Sequence, residues 1–88
     1  MNKTKIVTAL RALRTTYGPD AVTCSEMEAD LASVRGLPPT VAKTAAAAYK
    51  NAEQVAKFDG GSRLSANELA RIGLNTAIGA AKRGIFGA

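Results

Sequence analysis

Few residues in this chain could carry out covalent chemistry, and their spacing does not support it. The only cysteine, Cys24, has no histidine anywhere in the chain to activate its thiol, so we expect a buried, inert side chain. Four carboxylates lie close together in sequence, at Asp20, Glu26, Glu28 and Asp30. No metal-ligand set accompanies them, and charge at the N-terminal end of a helix is the simpler role. We therefore expect no catalytic activity, no metal and no cofactor.

A second group of residues could form hydrogen bonds with nucleic acid. Thr40, Lys43, Thr44 and Lys50 fall mostly on one side of a helix predicted over residues 39–52. Lysine donates to guanine acceptors or to phosphates, and threonine can donate, accept or contact a thymine methyl group. The alternative, which the same residues fit equally well, is a solvated helix face.

The charge balance favours a polyanionic partner. The 88-residue chain carries 12 Lys and Arg against 7 Asp and Glu, a formal net charge of +5, which suits nucleic acid. A single cysteine fits a reducing cytoplasm, in a bacterial cell or a phage-infected host. The charged N-terminal segment argues against a signal peptide, and no stretch approaches the ~20 apolar residues that cross a bilayer. We expect one domain over residues 1–83 and a frayed tail over residues 84–88.

Hydrophobic periodicity predicts the first two helices. Apolar residues recur at helical spacing over residues 3–17, and Gly18-Pro19 ends that helix. Thr23 followed by Glu26 fits a capping box, in which each side chain bonds the backbone N–H of the other residue. The second helix is therefore predicted to begin at Thr23 or two residues later.

The connection to the third helix predicts a tight turn. Gly36 can adopt the positive φ that ends a helix. Pro38 or Pro39 can open the next helix, because an N–H in the first turn has no helical partner in any case. Arg35 lies beside this turn and is a candidate phosphate contact, which would orient the protein without reading sequence. Contacts of the same kind could come from four cations of the first helix: Lys3, Lys5, Arg11 and Arg14. For Lys3 and Lys5, a solvated helix face is the simpler role.

The segment that follows predicts a small β-hairpin over residues 55–64. Asp59-Gly60-Gly61 is a strong hairpin signal, because such a loop needs positive φ. Lys57 and Arg63 flank its tip and could contact phosphate or a narrow minor groove. They could equally well solubilise an exposed strand edge. A closing helix is predicted over residues 66–83.

This order of elements resembles the winged helix-turn-helix domains of many bacterial and viral proteins. The resemblance extends over residues 3–75, with Leu31 to Val41 as the helix-turn-helix core and Val55 to Leu64 as the wing. It departs at the turn, where the β-branched residue expected after Gly36 comes one position early, at Val41. The resemblance implies a mainly α fold with a two-stranded hairpin, whose third helix enters the DNA major groove.

We therefore expect a small regulator, or an accessory factor of a phage or mobile element, that binds double-stranded DNA sequence-specifically. A homodimer through residues 3–17 and 66–83 is expected. The candidate DNA contacts are Arg35, Thr40, Lys43, Thr44, Lys50, Lys57 and Arg63. The alternative fold is an all-α bundle in which residues 53–64 extend the preceding helix. The alternative function is a helical protein-binding module, either a virion assembly component or an inhibitor of a host protein.

Overall fold

Four α-helices form the described part of the chain. This computed structural model describes residues 1–58 and 66–86, and within them α1 spans Lys3–Tyr17, α2 Cys24–Ala32, α3 Pro39–Phe58 and α4 Ala66–Lys82. None of the residues in those two ranges belongs to a β-strand. The predicted winged helix-turn-helix fold is therefore wrong, and the protein is an all-helical bundle, which was the alternative.

The start of the predicted wing is helical. Residues 55–58 form the last turn of α3, which runs six residues beyond the predicted end. Ala52 and Ala56 are half-buried and continue the apolar stripe of α3 that includes the fully buried Ala45, because residues three or four apart share a helix face. Packing along this stripe outweighs an isolated hairpin, which is marginal in water. The rest of the predicted hairpin, residues 59–65, lies outside the described residues.

The ends of α1 and the start of α2 agree with their predictions. The Asn2 side chain accepts a first-turn backbone N–H at 2.9 Å, and α1 ends at Gly18, whose φ is +50°. The capping box is present in both directions. Thr23 Oγ1 accepts from the Glu26 N–H at 3.1 Å, and Glu26 Oε1 accepts from the Thr23 N–H at 3.2 Å.

The turn before α3 also has the predicted chemistry, but it is long. Gly36 adopts a φ of +80°, and Pro39 is the first residue of α3, as predicted, but Gly36 does not end α2, whose last residue is Ala32. Six residues, 33–38, separate α2 from α3, whereas a helix-turn-helix joins its helices through three or four.

Helix α4 is the centre of the packing. Both α1 and α3 pack against α4, and α2 packs against α3. The largest fully buried side chains are Ile6, Leu10, Met27, Leu31, Val41 and Leu74. All four helices therefore contribute to one core, and the outer side of each remains available for a site.

Two tyrosines link elements across the bundle. The buried Tyr49 hydroxyl on α3 donates to the Val22 carbonyl at 3.0 Å. At the end of α1, the Tyr17 hydroxyl donates to Asp30 Oδ2 at 2.6 Å. Burial, followed by this hydrogen bond to Asp30, raises the pKa of Tyr17. These bonds fix α2 relative to both α1 and α3.

After α4 the chain makes a turn at Gly84, whose φ is +76°. Phe86 then packs half-buried against the core. No helix in the described ranges is both long enough and apolar enough to cross a membrane.

Candidate nucleic-acid interface

The predicted contact residues on α3 lie on its outer side. Thr40, Lys43, Lys50 and Lys57 are exposed, and Thr44 is half-buried. The other side of the same helix is anchored in the core through Val41, Ala45 and Tyr49. The helix therefore presents its polar side from a fixed position, as the periodicity predicts.

The three lysines of α3 form a nearly straight line, which we call the lysine line (Lys43, Lys50 and Lys57). They recur every seven residues, and a heptad is close to two helical turns, so the line drifts only slightly around the helix. It extends about 21 Å along the axis, at 1.5 Å of rise per residue. None of the three forms an ion pair with another described residue. The line is long enough to lie beside about six phosphates of one DNA strand, which are spaced about 3.4 Å apart along the helix axis.

Two further polar residues, Asn51 and Gln54, belong to the same surface. Because α3 continues to Phe58, Asn51 and Gln54 lie well before its C-terminal end, and both side chains are exposed. They follow Thr40, Lys43 and Ala47 on the outer side, at helical spacing. Asn and Gln can each form a bidentate pair with adenine, so the face carries base-reading groups as well as cations.

Carboxylates border the lysine line on one side. Helix α2 carries Glu26, Glu28 and Asp30 and no Lys or Arg. Burial is the main cause that raises the pKa of Cys24 on this helix, followed by its hydrogen bond to Glu28, while nearby Lys50 acts in the opposite direction. Lys50 is therefore close to α2, and the side of α3 that faces α2 is less favourable for an anion than its opposite side.

The carboxylates of α2 have structural partners. Glu26 completes the capping box, Asp30 accepts from Tyr17, and Glu28 accepts from the Cys24 thiol at 3.6 Å. Among the described residues, no group of three or more His, Cys, Asp or Glu is placed to hold a metal ion. Cys24 itself is half-buried rather than fully buried. This cluster therefore has roles in the fold.

The remaining predicted contacts do not extend the α3 face. Arg35 is exposed in the turn before α3. Arg63, predicted at the tip of a wing, lies outside the described residues. Lys57, predicted in the wing, lies on the α3 face as a helical residue instead.

A second basic surface combines three cations of α1 that the sequence offers as backbone contacts (Lys3, Arg11 and Arg14) with cations of α4 that were not predicted. An open groove of about 370 Å³ runs between α1 and α4 and is lined by Lys3, Thr4, Val7, Thr8, Arg11 and Lys82. A neighbouring cleft is lined by Arg14, Thr15, Gly18 and Arg71. The available signal was the composition of α1, whose 15 residues include four cations and no carboxylate. Its pairing with α4 could not be inferred from spacing.

Comparison of the chain with protein-family models, with curated proteins and with solved structures found no match in any of the three. The surfaces described above are therefore the basis for inferring a function.

Proposed function

We propose that the protein binds double-stranded DNA, without enzymatic activity, through the outer face of α3. The observation that supports this most directly is the lysine line, exposed on a helix whose opposite side is held in the core. Phosphates are the natural partners of such a row of unpaired cations, and they supply most of the affinity in protein–DNA binding.

Base reading in this proposal comes from the polar residues between the lysines. Thr40, Asn51 and Gln54 are exposed on the same side, and the amides favour adenine. The face offers no arginine for guanine among residues 39–58. We therefore propose moderate sequence preference superimposed on strong phosphate binding, which suits a small regulator or an accessory factor of a mobile element.

The test is salt-dependent binding to a short random-sequence duplex, followed by fluorescence anisotropy. The α3 pair, Lys43→Gln with Lys50→Gln, removes two positive charges from the lysine line. The control pair, Lys5→Gln with Arg83→Gln, removes two from exposed positions on α1 and just after α4. Circular dichroism checks that each variant remains folded.

The wild-type protein should lose affinity steeply between about 50 and 200 mM salt. Each lost phosphate contact lowers the slope of log K against log salt by about 0.9, so the α3 pair should lower it by about 1.8. The control pair should retain the wild-type slope. Equal effects of the two pairs, or no wild-type binding at low salt, would refute the proposed role of α3.

One observation favours a second candidate, the protein-binding module. Val55 and Phe58 at the end of α3 are 50% and 87% exposed, and large exposed apolar side chains favour protein contacts. If the wild-type chain ignores duplex DNA, this end of α3 is the surface to follow, with Phe58→Ser as the variant that should abolish co-purification of a protein partner.

A further inference from the structure

The groove between α1 and α4 is built from two matching stripes. On α1, the residues at spacings of three and four are Lys3, Val7, Arg11 and Arg14; on α4 they are Arg71, Asn75, Ile78 and Lys82. Each stripe spans eleven positions, which is about 16 Å of helix. The polar members of both stripes therefore lie along one edge of the α1–α4 contact.

The two helices run antiparallel, so the stripes lie side by side, with the N-terminal end of the α1 stripe next to the C-terminal end of the α4 stripe. Lys3 and Lys82 line the same opening. At the other end, the Arg14 guanidinium donates to Asn75 Oδ1, and Arg14 shares a cleft with Arg71. Five cations (Lys3, Arg11, Arg14, Arg71 and Lys82) consequently lie along this edge in two successive openings, which together we call the basic groove.

No carboxylate lines either opening of the basic groove. None of its five cations forms an ion pair with another described residue. Threonine hydroxyls at Thr4 and Thr8 provide further hydrogen-bonding groups, although Thr8 donates to the Thr4 carbonyl at 2.9 Å. Cations held side by side without a counter-charge repel one another, which disfavours this arrangement unless an anion binds there.

Helix stability does not explain the cations in the first turn of α1, although Arg14 suits the last turn of the same helix. The N-terminus of a helix carries partial positive charge, so a cation in the first turn is unfavourable. Lys3 and Lys5 occupy that first turn, which contains no acidic residue. Lys82 does suit the C-terminal end of α4, but that role does not require Lys3 and Arg11 beside it.

We propose that the basic groove is a second binding site, for the sugar–phosphate backbone of nucleic acid. The cations are spread over about 16 Å, which matches about five phosphates of one strand rather than a single enclosed anion. Lys3, Arg11 and Lys82 are exposed, so their side chains can follow a row of phosphates without reading bases. The proposal of a phosphate-binding groove stands on the cations alone, and the choice of nucleic acid as the polyanion rests on the proposed function.

The experiment compares two pairs of substitutions with identical charge change. The groove pair, Arg11→Gln with Lys82→Gln, removes two lining cations. The control pair, Lys5→Gln with Arg83→Gln, removes two cations from α1 and the residue after α4 that line neither opening. Duplex DNA and linear polyphosphate serve as the two probes, and affinity is measured against salt concentration.

The groove pair should lower the salt slope for duplex DNA by about 1.8 and the affinity at about 0.1 M salt by more than tenfold, because each phosphate contact releases about 0.9 counterion. The control pair should change the affinity much less than the groove pair does, because its two cations line neither opening and act on a bound phosphate only through screening solvent. Equal losses in the two pairs would overturn the groove site, because they would reflect net charge alone.

The probes separate failure of the groove from failure of the α3 proposal. If the α3 pair loses duplex binding and the groove pair does not, the groove site is overturned and the α3 proposal stands. If the wild type binds polyphosphate but not duplex, and the groove pair loses that binding, the proposed DNA function is overturned and the groove remains a phosphate-binding site. If the wild type binds neither probe, both proposals are overturned.

Discussion

Replacing Gly73 by alanine should destabilise the protein, although alanine is the better helix former. Gly73 lies in α4 where the helix backbone approaches α3. A Cβ added there would be 2.7 Å from the Ala45 carbonyl oxygen and 3.3 Å from Sδ and Cε of Met27. The carbonyl belongs to the backbone and cannot rotate away, so α4 must shift from α3. Overpacking of this kind costs about 1–3 kcal/mol.

Alanine also stabilises the helix intrinsically, by about 0.8–1 kcal/mol relative to glycine. The expected net loss for Gly73→Ala is therefore about 1 kcal/mol, which corresponds to about 4–8 °C in Tm for a domain of this size. The matched control is Gly79→Ala in the same helix. Its added Cβ would meet only the end of the Arg83 side chain, at 3.5 Å, so it should gain about 0.5–1 kcal/mol.

Urea denaturation followed by circular dichroism measures both variants. The two free energies of unfolding should move in opposite directions around the wild type, with unchanged m-values. If Gly73→Ala is as stable as Gly79→Ala, the backbones of α3 and α4 are not as close as the structure shows, and the packing argument is refuted.

Two further predictions concern buried groups. Tyr49→Phe removes the 3.0 Å hydrogen bond to the Val22 carbonyl, and because that carbonyl then lacks a partner, the free energy of unfolding measured in urea should fall by about 1–2 kcal/mol. Tyr17→Phe should cost less, because the Tyr17 hydroxyl bonds an exposed carboxylate. A larger loss for Tyr17→Phe than for Tyr49→Phe would contradict the buried position of the Tyr49 hydrogen bond. Burial raises the pKa of Cys24, and its hydrogen bond to Glu28 raises it further, so the native thiol should react with iodoacetamide at pH 8 more slowly than the urea-unfolded thiol. The unfolded thiol therefore loses its proton at a lower pH than the folded thiol. The contribution of Cys24 to the free energy of unfolding should consequently fall as the pH rises above the ordinary thiol pKa, and Cys24→Ala should make the free energy of unfolding less dependent on pH in that range.

Local signals predicted much of the fold because they act within a few residues. The Thr23–Glu26 capping box and the positive φ of Gly36 depend only on their immediate neighbours. The end of α3 was mispredicted for the opposite reason. Asp59-Gly60-Gly61 is a good hairpin signal, but Ala52 packs on the core and the half-buried Ala56 continues the same helix face, and the gain from that packing depends on tertiary contacts.

The candidate sites divide in the same way. The exposure of Lys43 and Lys50 follows from periodicity within the predicted helix, so the sequence could predict it, whereas Lys57 joins the lysine line only because α3 continues to Phe58. The basic groove depends on the antiparallel pairing of α1 with α4, exemplified by Arg14 and Asn75, which are 61 positions apart. No pattern within either helix specifies that register. The position of Arg71 and Lys82 beside the cations of α1 consequently follows only from the packing of α4 against α1.

The loss of the wing changes how this protein could hold a duplex. A winged domain adds backbone contacts through its hairpin, and here the corresponding residues 55–58 are helical. The lysine line alone is bordered by the carboxylates of α2, which repel phosphate on that side. The basic groove has no such neighbour among its lining residues. We therefore expect long-range electrostatic attraction to bring a polyanion first to the α1–α4 side of the protein, since a cleft lined by charges of one sign focuses the electric field.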